Sequence, residues 1–306
     1  MKLSCIDIGT NSIRLMIADF DGSKFSNVHK ELEMTRIGYG VNETKLLDVN
    51  RMKLSAEVVE TYYKKSIIAG AEHVFMMATS AVRDAVNADV FIEMVMAKTG
   101  QLIDVISGEL EAEVGFLGVL LGNDRPEDKL LIIDIGGGST ELIVGDLDGI
   151  QFSKSINIGA VRLTGAYVYN DPVKPEEVVV MKSVITEHIE AVVSEISAFK
   201  IDSAIGIGGT ATTIATMVHS VEHYSRESVH QLKVDQEELA QITTQLLELN
   251  VEDKKKIIGL EAKRADIILA GSLILEELLL KLKIQAYSVS DYDNLEGYTA
   301  YQYKRL

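Results

Sequence analysis

A single cysteine, Cys5, has no second thiol to pair with in this 306-residue sequence, which excludes an internal disulfide framework and suits a reducing compartment. It lies in a strand-like run from Lys2 to Ile8, where a packing role is expected. Only three prolines occur, so no proline-rich linker divides the chain. No apolar stretch reaches the roughly 18–20 residues that a spanning helix needs. The first residues enter the strand-like run without the layout of a signal peptide, and a cytoplasmic location is expected. Positive charge is short as well: 30 Lys and Arg against 46 Asp and Glu give a net charge of −16. A field of that sign disfavours nucleic acid and anionic membrane surfaces as partners. It also opposes polyanions at long range, but screening confines that effect to about 8 Å at physiological salt. A local cationic site with a divalent metal can therefore still hold phosphates.

What the chain does have is a duplicated glycine-rich element. Residues 6–22 read IDIGTNSIRLMIADFDG and residues 133–149 read IDIGGGSTELIVGDLDG. Aligned without gaps at an offset of 127, 9 of 17 positions are identical, among them Asp7/Asp134, Gly9/Gly136 and Ser12/Ser139. One long offset implies two related domains in tandem rather than a short-period solenoid. Each copy reads as a hairpin: a buried β run ending in Asp, a tight turn, and a second β run leading to Asp-Gly. In the turns Gly9-Thr10-Asn11-Ser12 and Gly136-Gly137-Gly138-Ser139, glycine lets backbone N–H groups approach a phosphate and the polar side chains add donors. Asp7 and Asp134, at the ends of the first strands, are the candidate metal ligands. The alignment also sets Arg14 against Glu141. Opposite charges at equivalent places suggest a division of labour, with the planar guanidinium fork of Arg14 taking a phosphate.

The remaining pattern alternates strands and helices. Helical spacing covers 50–69, 89–98 and 109–121, with strands at 73–78 and 102–106; a polar stretch, Gly122 to Asp128, reads as a hinge. Beyond the second hairpin come a strand at 151–158, a helix at 175–198, and the run Ala204-Ile-Gly-Ile-Gly-Gly-Thr210, read as a strand, a phosphate-type loop (Gly208, Gly209, Thr210) and a helix starting near Ala211. No Gly-Lys-Ser/Thr follows, so this is not a Walker loop. Helices at about 235–249, 251–258 and 264–283, a strand at 285–289 and a last helix from Leu295 complete an α/β chain of two domains with a cleft between them. Six histidines offer no zinc-like pair apart from His219/His223, and a lone strand cysteine supports no Cys-His nucleophile.

With these motifs in place, the chain resembles the exopolyphosphatase/guanosine pentaphosphate phosphohydrolase family of the acetate/sugar kinase–Hsp70–actin superfamily. The resemblance rests on eight blocks in order: Ile6–Arg14, Thr35-Arg-Ile-Gly38, Ala78–Arg83, Val105–Ala112, Ile133–Glu141, Gly159-Ala-Val-Arg-Leu-Thr164, Gly208–Thr212 and Arg264–Gly271. It implies two tandem actin-like (ribonuclease H-like) domains, 1–122 and 123–306, in the family's short form. It also implies Mg²⁺-dependent hydrolysis of the terminal phosphate of polyphosphate or guanosine pentaphosphate. The family's catalytic glutamate falls on Glu111 and the second of its water-activating pair on Glu141; Arg36 and Arg83 are expected at phosphates. Glu109 and Glu113 share a helical face and Glu111, two residues from each, points elsewhere. Two departures remove positive charge. Glu113 stands where the family often has Arg, and the family's Ser-x-x-Gly-Leu-Arg-Glu-Gly is here Ser290-Asp-Tyr-Asp-Asn-Leu-Glu-Gly297, with Leu295 at the Arg position. Two other readings fit the same motifs: a kinase or ATPase of the superfold, and a non-catalytic sensor of polyphosphate or guanosine tetra- or pentaphosphate. Apolar positions in the last helices would permit a homodimer.

Overall fold

The computed structural model describes residues 1–123 and 128–306. They form two compact units, Met1–Leu121 with Tyr292–Leu306, and Gly122–Asp291. Of the hinge expected over Gly122–Asp128, residues 124–127 lie outside the described residues.

The first unit runs β1 (Lys2–Ile8), β2 (Ile13–Phe20), β3 (Phe25–Glu33), α1 (Val41–Thr44), α2 (Val49–Ile68), β4 (His73–Ala78), α3 (Ser80–Arg83), α4 (Ala88–Thr99), β5 (Asp104–Val105) and α5 (Gly108–Gly122). Among the described residues its sheet has five strands in the order β3-β2-β1-β4-β5. The β1–β2 hairpin is antiparallel, with Ile8 opposite Ile13 and Asp7 opposite Arg14, while β4 runs parallel to β1. Successive side chains of β1 point to opposite faces. Ile6 and Ile8 pack with Met52, Ala56 and Val59 of α2 and Phe91 and Val95 of α4. Cys5 turns to the other face, with Met16, Met77 and Val114. Both faces of β1 are buried, and burial pushes the Cys5 thiol well above its ordinary value.

The second unit repeats the plan: β6 (Leu130–Ile135), β7 (Thr140–Asp146), β8 (Gly149–Ile156), α6 (Ala160–Tyr167), α7 (Pro175–Ile196), β9 (Ser203–Ile207), α8 (Gly208–Val218), α9 (Arg226–Val229), β10 (Lys233–Asp235), α10 (Gln236–Glu248), α11 (Val251–Lys254), α12 (Ile268–Leu282) and β11 (Ala286–Val289). Its order is β10-β11-β9-β6-β7-β8, so β6, β7, β8 and β9 stand as β1, β2, β3 and β4 do. Even an irregularity is duplicated. The register shifts after Ile17 in the β2–β3 ladder and after Val144 in β7–β8, and 144 − 17 is again 127. The apolar stretch expected to be core is core, for α12 buries Leu273, Ile274, Leu275 and Leu278 completely.

The chain then returns to the first unit as α13 (Asn294–Tyr303). This corrects the expected second domain of 123–306, which is too long at its end. Leu295 and Tyr298 of α13 close the cluster of Cys5, Met16, Ala18 and Val114, and the Tyr298 hydroxyl donates to Asp104 at 2.7 Å. Two glycines permit the docking. A Cβ on Gly118 would strike the Asp293 carbonyl, and one on Gly297 would strike the Val114 carbonyl. Smaller differences concern element ends. The helix expected near Ala211 begins at Gly208, that expected over 251–258 stops at Lys254, and that expected from 264 begins at Ile268 after a 3-10 turn. Strand β3, helix α6 and strand β10 were not expected.

Candidate active site

The two glycine turns have one geometry. Gly9 donates its N–H to the Ser12 carbonyl at 3.0 Å, and Gly136 donates to that of Ser139 at 3.0 Å. The strand ladders close at Ile8–Ile13 and Ile135–Thr140, which leaves the N–H groups of Thr10, Asn11, Gly137 and Gly138 outside them. Each turn is braced from behind by the motif that follows its hairpin. In the first unit Arg36 N–H donates to the Asn11 carbonyl and Gly38 N–H to the Thr10 carbonyl, both at 2.9 Å. Arg36 itself takes a left-handed conformation, φ 52°. In the second unit Ala160 N–H donates to the Gly136 carbonyl and Arg162 N–H to the Gly137 carbonyl, both at 2.9 Å. Gly38 lies against Thr10 and Ala81, whose Cβ would sit 2.8 Å from an added Cβ. Gly38→Ala is therefore expected to cost about 1–3 kcal/mol by overpacking, to be read as a lowered urea midpoint.

Asp7 and Arg14, directly opposite on β1 and β2, form an ion pair: Nε and Nη2 of Arg14 donate to Asp7 Oδ2 at 3.0 and 2.6 Å. Arg14 Nη1 donates to Asp293 Oδ2. The arginine expected at a phosphate thus faces two carboxylates. Burial pushes the Asp7 carboxyl above its ordinary value in spite of Arg14, and Asp293 adds to the rise. Asp7 Oδ1 is buried with no hydrogen-bond partner. Thr10 shares a hydrogen bond of 3.0 Å with Ser80, at the start of α3, and the Asn11 amide donates to the Met34 sulfur.

At the other end of α3, Arg83 Nη1 donates to Glu111 Oε2 at 3.0 Å and to the Ile106 carbonyl at 3.0 Å. Ser107 Oγ accepts from Leu110 N–H at 3.2 Å and so caps the first turn of α5. Glu109 and Glu113 face solvent, whereas Glu111 points elsewhere, as the spacing implied, and is 7% exposed. Arg83, expected at a phosphate, here orients the glutamate.

In the second unit Asp134 is directly opposite Glu141, and both carboxylates are buried. Ser155 of β8 donates to Glu141 Oε1 at 2.6 Å. The first turn of α8, directly after β9, lies against Asp134. Gly208, φ 73°, has no room for a Cβ beside Asp134 Oδ1, and Thr210 Oγ1 donates to the Ile135 carbonyl at 2.7 Å. Gly209 carries the Arg264 guanidinium against its Cα, and Arg162 Nε donates to the Gly138 carbonyl at 2.6 Å. Arg162, Arg264, Ser155 and Asp293 were not among the expected site residues, although the first two stand inside motif blocks.

These residues fit a magnesium ion. Two buried like charges in direct register are unfavourable by themselves, and the unshared Asp7 oxygen is a hard donor. Among the described residues no three His, Cys, Asp or Glu side chains converge, so an ion held by Asp7 or Asp134 would draw its other ligands from water and substrate phosphates, as Mg²⁺ commonly does.

Comparison with known proteins gives the family. Residues 16–304 match the Ppx/GppA phosphatase family. The chain is 31% identical over 309 residues to Exopolyphosphatase 2 of Mycobacterium tuberculosis, covering 97% of each. It is 34% identical over 305 residues to the bifunctional 3-dehydroquinate synthase/phosphatase of Fusobacterium nucleatum, covering 95% of this chain and 45% of that protein's length. The crystal structure of the Aquifex aeolicus Ppx/GppA family member superposes with a TM-score of 0.83 at 30% identity, over 100% of this chain and 98% of the other. That structure carries the actin-like two-domain fold, as the motifs implied. Matched over nearly its whole length, the chain belongs to the Ppx/GppA phosphatase family.

Proposed function

We propose that the chain hydrolyses terminal phosphoanhydride bonds, releasing orthophosphate from the ends of polyphosphate. The observation that carries this reading is Glu111: a buried carboxylate in the first turn of α5, held by Arg83 and lying in the block where the family's catalytic glutamate falls. Glu111 takes the proton of the attacking water, a task that requires a carboxylate held in one orientation. Glu141, fixed by Ser155, helps to orient that water. The turn N–H groups of residues 10–12 and 137–139 and the first turn of α8, Gly208-Gly209-Thr210, receive phosphate oxygens, which leaves the chemistry to positioning and electrostatic stabilisation. Asp7 and Asp134 would hold Mg²⁺, which when bound offsets the charge of the phosphates and polarises the anhydride.

The test is orthophosphate release from long-chain polyphosphate and from guanosine pentaphosphate, side by side. Release that is abolished by a chelator and restored by Mg²⁺ is expected, with the higher kcat/KM on polyphosphate. Turnover of neither substrate by a folded protein would sink the reading. A cytoplasmic setting and a homodimer form part of the same proposal, the latter to be read by sedimentation. No described helix is long and apolar enough to cross a membrane.

A further inference from the structure

The motif departure at residues 293–295 has a structural counterpart that the proposed chemistry does not use. Asp293 carries out two tasks with its two carboxylate oxygens. Oδ1 accepts from Leu295 N–H at 3.0 Å and caps α13, while Oδ2 accepts from Arg14 Nη1. Glu296, fully buried, completes the cap by accepting from Asp293 N–H at 3.2 Å and pairs with Lys30 at 2.9 Å. Two carboxylates, Asp7 and Asp293, thus stand on Arg14. Asp7 binds Nε and Nη2 of Arg14, so Asp293 takes the remaining terminal nitrogen, Nη1.

We propose that Asp293 sets the phosphate affinity of the first glycine turn by holding Arg14 away from substrate, and that it is a specificity-determining positioning residue rather than a catalytic one. The inference rests on the reading of the site as a phosphate site. Arg14 lies across the hairpin from Asp7, two residues beyond Ser12 of the turn. Its guanidinium is the cation whose fork suits a phosphate oxygen pair, and the structure commits it to two carboxylates. With Nη2 on Asp7 and Nη1 on Asp293, both terminal nitrogens of the guanidinium are engaged, which weakens the hold on short phosphate chains most, because they have few other contacts.

The experiment uses Asp293→Asn, which keeps an acceptor for the cap and removes the charge. The probe is inorganic imidodiphosphate, whose P–N–P bridge resists hydrolysis, titrated calorimetrically into the full chain. Binding should tighten about tenfold, the effect of one nearby charge at intermediate dielectric, and the same change made in an Arg14→Gln background should bring no tightening. On tripolyphosphate, KM should fall by a similar factor while kcat changes less than about threefold, the mark of binding rather than chemistry. Unchanged affinity, or equal tightening without the arginine, would overturn the proposal. Should the Asn variant fail to fold, Asp293→Ser keeps a capping oxygen and carries the same two outcomes. The calorimetric arm needs no turnover, so an inactive wild type would fail the hydrolase reading without deciding this one.

Discussion

Glu111→Gln is expected to lower kcat for phosphate release about 10³-fold, within the range for loss of a positioned general base, with the melting temperature little changed. The choice of glutamine follows from the surroundings. Glu111 is 7% exposed and its Oε2 receives Arg83 Nη1. Alanine would strand that guanidinium in a partly buried place, and an unpaired buried charge destabilises in its own right. Glutamine keeps an acceptor at nearly the same point and the same volume, so what disappears is the capacity to take a proton. KM should stay within about threefold, because the change removes an interaction made only in the transition state. A variant within tenfold of wild type on polyphosphate would remove Glu111 from the mechanism.

The second large effect concerns the fold. Gly297→Ala and Gly118→Ala are each expected to destabilise the first unit by more than about 3 kcal/mol, at the upper end for overpacking. An added methyl at either place meets backbone rather than a side chain that can swing aside: the Val114 carbonyl and Gly118 N in one case, the Asp293 carbonyl in the other. Helices α5 and α13 would have to part, and the cluster around Cys5, Met16 and Tyr298 would lose its cover. Gly165→Ala in α6 is the control, since a methyl added there meets nothing within 4 Å. It should be neutral or stabilising by up to about 1 kcal/mol, the difference in helix propensity. Urea unfolding followed by Tyr fluorescence and circular dichroism separates the cases. Equal midpoints for Gly165→Ala and Gly297→Ala would refute the close crossing.

The parts legible from sequence were those written locally. The repeat at an offset of 127 carried the two sheets, because an Asp-terminated strand and a glycine turn recur within a few residues of each other. That Glu111 points away from Glu109 and Glu113 followed from helical spacing; that it is buried did not. Partners distant in the chain were not legible. Arg14 meets Asp293 across 279 residues and Arg83 meets Glu111 across 28, and an arginine near a glycine turn looks the same whether it awaits a phosphate or already holds a carboxylate. Strand β3 was not legible because it is a mostly polar edge strand whose apolar residues, Phe25, Val28 and Leu32, do not alternate. The allegiance of α13 escaped for a different reason: apolar spacing says that a helix is buried, not which core it enters.

That allegiance has a consequence for synthesis. On a ribosome the segment Gly122–Asp291 is complete before Tyr292–Leu306 has been made, so the middle of the chain can reach its native state while the beginning still lacks a helix. Until the last residues emerge, Cys5, Met16 and Val114 expose an uncovered apolar face, and transiently exposed faces of this kind are where chaperones bind and where nascent chains associate. The portion made first is the portion that matures last.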